Sequence, residues 1–169
     1  AVPVDRFPFS SNFPDQLTRL LRTLIGPELS GANLAAANLS LANLRRAQLR
    51  RATLEGAYLY KVDLRGANLD RTNFREAYLH QASMNGTSLR DSDLTNAGLN
   101  EAVLRGSQLQ HAILTGANLF QINLIAAKLY KARLDFTDLT RAKLAFSDMA
   151  FANLNHAFLW KADLTAVKL

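Results

Sequence analysis

A chain of 169 residues is long enough for one domain with a true core, and 49% hydrophobic residues are enough to fill one. No apolar run approaches the length of a membrane-spanning helix, and the absence of cysteine leaves the redox compartment open. Lys and Arg number 20 against 14 Asp and Glu, a formal charge of +6, so the protein is basic, which suits either plain solubility or an anionic partner.

The first element, residues 1–13, holds Phe7, Phe9 and Phe13 among prolines, and reads as an extended arm lying on the body. Ala1-Val2-Pro3-Val4-Asp5 is compatible with the start of an exported mature protein, and equally with a trimmed sequence. The second element is a helix. Leu17, Leu20, Leu21, Leu24 and Ile25 form one apolar stripe at helical spacing. Ser11 or Asn12 can cap it, Pro14 suits its first turn, and Gly26-Pro27 stops it. Residues 1–28 are therefore expected to be an arm and an N-terminal capping helix.

From Leu29 to Leu169 every fifth residue is Leu, except Phe74, Met84 and Met149, and no insertion breaks the register. Two residues before each stands a small residue. In the 28 repeats from Ala32 onward it is Ala 19 times, which leaves no room for anything larger than a methyl-sized group at most of these sites. A period of five matches neither a helix nor a strand. If every fifth side chain has one environment, the backbone must repeat its direction every five residues, and such a chain closes into stacked coils. Leu and Ala then point inward and the other three residues outward. The interior is narrow and full, so no internal ligand pocket is expected. Gly31, Gly56, Gly66, Gly86, Gly106 and Gly116 each fall two residues after an interior Leu, Phe or Met, where a turn with positive φ favours glycine. Other repeats carry Arg, Lys, Gln or Phe there, which predicts a mixture of turn types.

The A(N/D)Lxx pattern over residues 29–169 resembles the pentapeptide repeat family. The resemblance implies an all-β solenoid: a right-handed quadrilateral β-helix with four pentapeptides per coil and about seven coils. Its exposed end needs a cap, which the N-terminal helix supplies. No capping helix follows the repeats, so the last coil is expected to be exposed, truncated, or covered by another molecule.

With four repeats per coil, residues 20 apart stack in outward columns. Arg45, Arg65 and Arg105 share one column, interrupted by Asn85, and Arg46, Arg50, Arg51, Arg71 and Arg90 lie beside it. These eight form an arginine ridge, a candidate anion-binding strip, with Asp63, Asp70, Asp91 and Asp93 near enough to neutralise part of it. Tyr58, Tyr78 and Phe158 share a second column; Tyr60, His80, Phe120 and Trp160 share the next, flanked by Lys61, Gln81, Gln121 and Lys161. Aromatics beside cations can stack on nucleobases or on one another. In the late coils Ile125, Tyr130, Phe136, Phe146, Phe151, Phe158 and Trp160 replace polar residues, which points to a partner surface or a homodimer through the C-terminal coils.

Chemistry is not expected. His80, His111 and His156 fall in different coils, no nucleophile–base set converges, and the glycines follow the turn rather than a phosphate loop. No metal or cofactor is predicted. Three functions remain in competition. One is a non-catalytic interaction scaffold for a protein partner. The second is binding of nucleic acid or anionic membrane through the ridge. The third follows from the resemblance: some members mimic duplex DNA and act on DNA gyrase, but that role needs a negative rod, and this chain is positive. The resemblance also brings in cyanobacterial relatives exported to a periplasm or thylakoid lumen, so either a cytoplasmic or an exported location fits.

Overall fold

The structure, a computed structural model, describes residues 26–169. The expected arm and the helix bearing Leu17, Leu20, Leu21, Leu24 and Ile25 lie outside the described residues.

The fold rests on where each backbone amide of a pentapeptide finds its partner. In Ala117-Asn118-Leu119-Phe120-Gln121, the Ala117 N–H closes a turn on the Leu114 carbonyl at 2.9 Å. Asn118 donates to Ala97 of the preceding coil at 3.0 Å. Leu119 donates to Asp138 and Gln121 to Thr140, both of the following coil, at 2.9 and 3.0 Å. Four of five amides are thus used by backbone carbonyls. The fifth, on Phe120, is met by the Oδ1 of Asn118 two residues earlier, at 3.1 Å. The same side-chain bond recurs at Asn33, Asn43, Asp63, Asn73, Asp138 and Asn153. This is the physical reason for Asn or Asp in the middle of the motif: an Asx side chain supplies the acceptor that the ladder leaves out. In two repeats that lack it, a neighbour substitutes, as when the Arg90 amide donates to Asp70 Oδ1 at 3.0 Å. Val103 cannot accept, and the Arg105 amide instead donates to Asn85 Oδ1 in the coil before, at 3.1 Å.

Every parallel bridge joins a residue to the one 20 positions later. One circuit of the chain is therefore four pentapeptides, and seven steps carry Glu28 through Gln48, Asn68, Ser88, Gln108, Lys128 and Asp148 to Lys168. Four such ladders run along the rod, starting at Glu28, Asn33, Asn38 and Asn43; they are numbered 1 to 4 here. At about 4.8 Å per rung the seven steps span roughly 34 Å. The first rung, at Glu28, lies one residue ahead of the expected boundary at 29, and Gly26 already donates to Arg45.

The edges between ladders are made by the two residues after each interior Leu. The second of these has positive φ at every repeat from Gly26 to Ala166. Residues with side chains adopt it as uniformly as the glycines, with φ of 52–63°, so the expected mixture is not seen at this position. A left-handed L-residue costs roughly 1–2 kcal/mol. It is retained because its amide aims at the next coil's carbonyl, as Arg71 does on Arg90 and Phe136 on Asn155.

Inside, the Leu and small positions from Ala32 to Met149 are at most 3% exposed. Phe74, Met84 and Met149 occupy Leu positions without disturbing this. Buried hydroxyls at small positions find carbonyls: Thr87, Ser92, Ser107 and Thr137 each donate to the interior residue three positions earlier, at 2.7–2.8 Å. Across the last coil the interior residues become progressively exposed, reaching 45% at Leu164 and 79% at Leu169.

Three of the Asx acceptors are aspartates held below the ordinary carboxylate pKa. The Arg65 guanidinium lowers Asp63, with the Arg65 amide helping and partial burial opposing. Burial pushes Asp93 upward, but the hydroxyl and amide of Thr95 and the Arg75 guanidinium outweigh it. The hydroxyl and amide of Thr165 lower Asp163. A depressed folded-state pKa adds stability that is complete above the unfolded value near 3.8 and is lost as pH falls through the folded-state value. Urea midpoints are expected to be flat from neutral pH to about pH 5 and to fall below about pH 4. Removing Asp63 and Asp93 as Asn should flatten that acid limb.

The packing predicts two opposite failures. Leu94→Ala opens a void in a core that cannot collapse and should cost about 2–5 kcal/mol. Ala97→Leu overfills the same region and should cost about 1–3 kcal/mol. Both residues are fully buried. Chemical denaturation checks both, and an unmoved midpoint for the pair would overturn the inward assignment.

Candidate interaction surfaces

The interior holds only packed apolar groups and satisfied hydroxyls, apart from Ser147, whose hydroxyl has no partner among the described residues. No group of three His, Cys, Asp or Glu that could hold a metal ion is found among the described residues. What remains is the outside, and the period of 20 fixes which side chains share it.

The arginine ridge divides between two edges. Arg45, Arg46, Arg65 and Arg105 lie on the edge between ladders 4 and 1; Arg50, Arg51, Arg71 and Arg90 lie on the edge between ladders 1 and 2. All eight are exposed. Arg65 folds back in a two-pronged contact on Asp63, with Nε at 2.8 Å and NH2 at 2.5 Å. Arg71 reaches Asp91 at 3.7 Å, and Arg90 donates to the Gln108 side chain. No carboxylate pairs with Arg45, Arg46, Arg50, Arg51 or Arg105 among the described residues. Four of these five belong to the stretch 45–51, which wraps the ladder 1 side of a single coil. Of the nearby carboxylates, Asp70 is taken up by the Ser88 hydroxyl and the Arg90 amide, and Asp93 by Arg75 and Thr95. The acidic residues therefore neutralise the middle of the ridge and leave its N-terminal end cationic.

The aromatic columns lie on the other side. Tyr58 and Tyr78 on ladder 3 stack face to face, with centroids 5.0 Å apart and planes 7° apart. Their rings face along the rod, so each uses a face on the other rather than presenting it outward. Lys61 caps Tyr60 at 5.1 Å. His80 leans over Gly98, where a Cβ would stand 2.7 Å from the imidazole Cε1. Glycine at this one outward position is explained by that approach, not by its backbone. Trp160 is covered by Lys161 at 4.3 Å and Arg141 at 5.7 Å.

The seven late-coil apolar residues do not share one face. Ile125 and Phe146 are on the ladder 4–1 edge, Tyr130 and Phe151 on the 1–2 edge, Phe136 on the 2–3 edge, Phe158 on ladder 3, and Trp160 on the 3–4 edge. They ring the last coils and meet locally. Tyr130 packs edge-on against His111 and Phe151, at 5.8 and 5.6 Å, and carries Lys131 over its ring at 5.2 Å. Phe136 stacks on His156 at 4.9 Å. Phe146 and Phe151 are 66% and 77% exposed, whereas Ile125 and Tyr130 are half-buried.

The Pentapeptide repeats family pattern matches the chain in overlapping segments at residues 28–66, 57–96, 86–121 and 117–150. No curated protein is a significant match. Among solved structures, the chain is similar to HetL from the cyanobacterium Nostoc sp. strain PCC 7120, a pentapeptide repeat protein involved in heterocyst differentiation regulation. The two are 31% identical, with 83% of this chain and 75% of that one covered and a TM-score of 0.48. It is similar also to full-length QnrB1, a plasmid-mediated fluoroquinolone resistance protein, at 18% identity, 86% and 92% coverage and a TM-score of 0.55. A third is the pentapeptide repeat protein Rfr23 from the cyanobacterium Cyanothece 51142, at 22% identity, 85% and 88% coverage and a TM-score of 0.47. With A(N/D)Lxx in unbroken register, a circuit of 20 residues and a family match over most of its length, the chain belongs to the pentapeptide repeat family.

Proposed function

We propose that the protein is a non-catalytic interaction rod: a right-handed, four-sided solenoid of about seven coils that presents columns of side chains to a protein partner. The observation that carries this reading is the division of labour within each repeat. Two residues of five are sealed inside at most 3% exposed through the middle of the rod, so most of the variation in sequence falls on outward residues that do not fill the core. Such a surface supports recognition by shape and charge, and the outside of this rod is far from uniform.

A second reading, anion binding through the arginine ridge, is supported by the unpaired guanidiniums of Arg45, Arg46, Arg50 and Arg51. Contacts to phosphate-like anions by such groups are strongly salt-dependent. The gyrase reading has less support. A duplex mimic needs rows of carboxylates, and here the corresponding rows carry arginine on a rod of formal charge +6; the likeness to QnrB1, at 18% identity, extends to the fold. A homodimer through the late coils would use Phe136, Phe146, Phe151 and Trp160. It should appear as twice the 18.7 kDa chain mass in light scattering, and a monomer at high concentration would remove it.

The two principal readings separate in one affinity-capture experiment. The intact protein and the variant Arg45→Glu, Arg50→Glu, Arg65→Glu are compared with Tyr58→Ala, Trp160→Ala, all with unchanged melting temperatures. A protein retained by the arginine variant and lost by the aromatic one supports the scaffold reading. Retention that depends on the arginines and vanishes with added salt supports the anion reading. A potent effect on supercoiling by purified gyrase would overturn this ranking.

A further inference from the structure

The basic charge of the rod is confined to one side. Ladder 1 and the two edges that bound it carry eleven Lys and Arg against four Asp and Glu, a formal +7. The other three ladders and two edges carry six against eight, a formal −2. The excess extends beyond the arginine ridge, because Lys128, Lys131 and Lys168 continue it to the far end of the same side. Between the arginines, Gln48, Asn68, Ser88 and Gln108 are uncharged and half-buried, so those arginines stand along two rows with a low polar floor between them; nearer the far end ladder 1 itself carries Lys128 and a Lys168–Asp148 ion pair at 3.7 Å.

The same side carries two strongly exposed phenylalanines, although Phe158 on ladder 3 matches the first of them in exposure. Phe146 and Phe151 are five residues apart in one circuit, on the two edges that flank ladder 1, at 66% and 77% exposure. They stand about five rungs, or roughly 24 Å, from the Arg45–Arg51 cluster along the rod. Tyr130 lies beside Phe151, with Lys131 over its ring. Apolar rings with an amphipathic tyrosine and flanking lysines are the side chains that settle at a lipid–water boundary.

Resting on the anion-binding reading above, we propose that the ladder 1 face docks on an anionic lipid surface. The two rows of cations neutralise headgroup phosphates, and Phe146 and Phe151 enter the headgroup region at one end. Three observations favour a membrane over a nucleic acid. The ladder runs unbroken through seven steps, so its cations stand in line along the rod. Its exposed phenylalanines, Phe146 and Phe151, lie on the same two edges as the arginines. The aromatic pair that could offer ring faces to bases, Tyr58 and Tyr78, is on ladder 3, the far side, and already stacked on itself.

The test is co-sedimentation of the full chain with vesicles of phosphatidylcholine plus phosphatidylglycerol, with pure phosphatidylcholine vesicles and a labelled DNA oligonucleotide as parallel arms. Binding to the anionic vesicles alone, weakening with salt, is expected. Arg46→Glu, Arg50→Glu and Arg51→Glu together should lower the partition coefficient by ~100-fold or more, at about one kcal/mol per basic residue at the surface. Phe146→Ser with Phe151→Ser should lower it by about tenfold while leaving the salt dependence in place. Lys61→Glu with Lys161→Glu, on the 3–4 edge, also removes positive charge but should leave binding nearly intact. Unchanged melting temperatures establish that each variant is folded. Equal weakening by the Lys61 and Lys161 pair would show net charge rather than this face at work, and would overturn the proposal. Arginine-dependent binding of the oligonucleotide without vesicle binding would overturn the membrane assignment and leave the anion reading standing. Binding to neither would overturn both.

Discussion

The hydrogen bonds between successive coils govern everything else in this molecule. Each coil can donate to the next only if the backbone turns through a left-handed residue once in five, and the left-handed residues from Gly26 to Phe146 each land their amide on a carbonyl of the neighbouring coil. Neither condition is met by an isolated pentapeptide. The 22 non-glycine residues with positive φ are therefore a cooperative property of the stack, bearable in the array and costly outside it. The narrow core has the same origin. A circuit of four short sides encloses space for one Leu and one methyl-sized group per side, and the sequence supplies them in strict alternation around the rod.

This constraint leaves the exterior almost unspecified, which is where a repeat protein acquires its individuality. In this chain the exterior is partitioned. Stacked tyrosines and a cation-covered tryptophan lie on ladder 3 and the edge beyond it. A mixed and mostly satisfied polar network, such as Asp135 held by the Thr115 hydroxyl, the Asn153 amide and Arg133, occupies the ladder 2 side. The unpaired arginines and exposed phenylalanines are on the ladder 1 side. Electrostatic one-sidedness on a rigid rod orients any charged partner before contact is made.

Much of this was legible in the sequence, because the fold is written in a period. The five-residue spacing of Leu29, Leu34, Leu39 and their successors identifies the inward direction, and stacking at 20 correctly assembles columns such as Arg45, Arg65 and Arg105. The turn conformation was less legible. Glycine at positions such as Gly31 and Gly56 marks a positive φ, yet Phe136 and Lys61 adopt the same backbone, since the ladder enforces what the side chain disfavours. The role of Asn and Asp in the motif was invisible in composition and appears only when the amides are followed one by one to their acceptors. The ridge was recognisable as a set of columns, but which arginines are neutralised was not: Asp63 captures Arg65 while Arg45, in the same column, goes unpaired, because pairing depends on rotamers and on the neighbouring ladder. The late-coil apolar residues looked like one patch in the linear order and are distributed around the circuit.

The regular circuit also bears on how such a protein can change over time. An insertion or deletion of 20 residues lengthens or shortens the rod and leaves every face aligned. A change of five residues is also invisible to the interior, since each ladder position is equivalent to the next. Outside, however, it advances every downstream column by one side of the square, a quarter turn. A single pentapeptide gained between the arginine cluster and Phe146 would move Phe146 across ladder 1 to the 1–2 edge and carry Phe151 to the 2–3 edge, off the cationic face. The unit that is neutral for folding is thus the unit that reassigns neighbours on the surface, and one such event can recompose an interface without altering any residue in it.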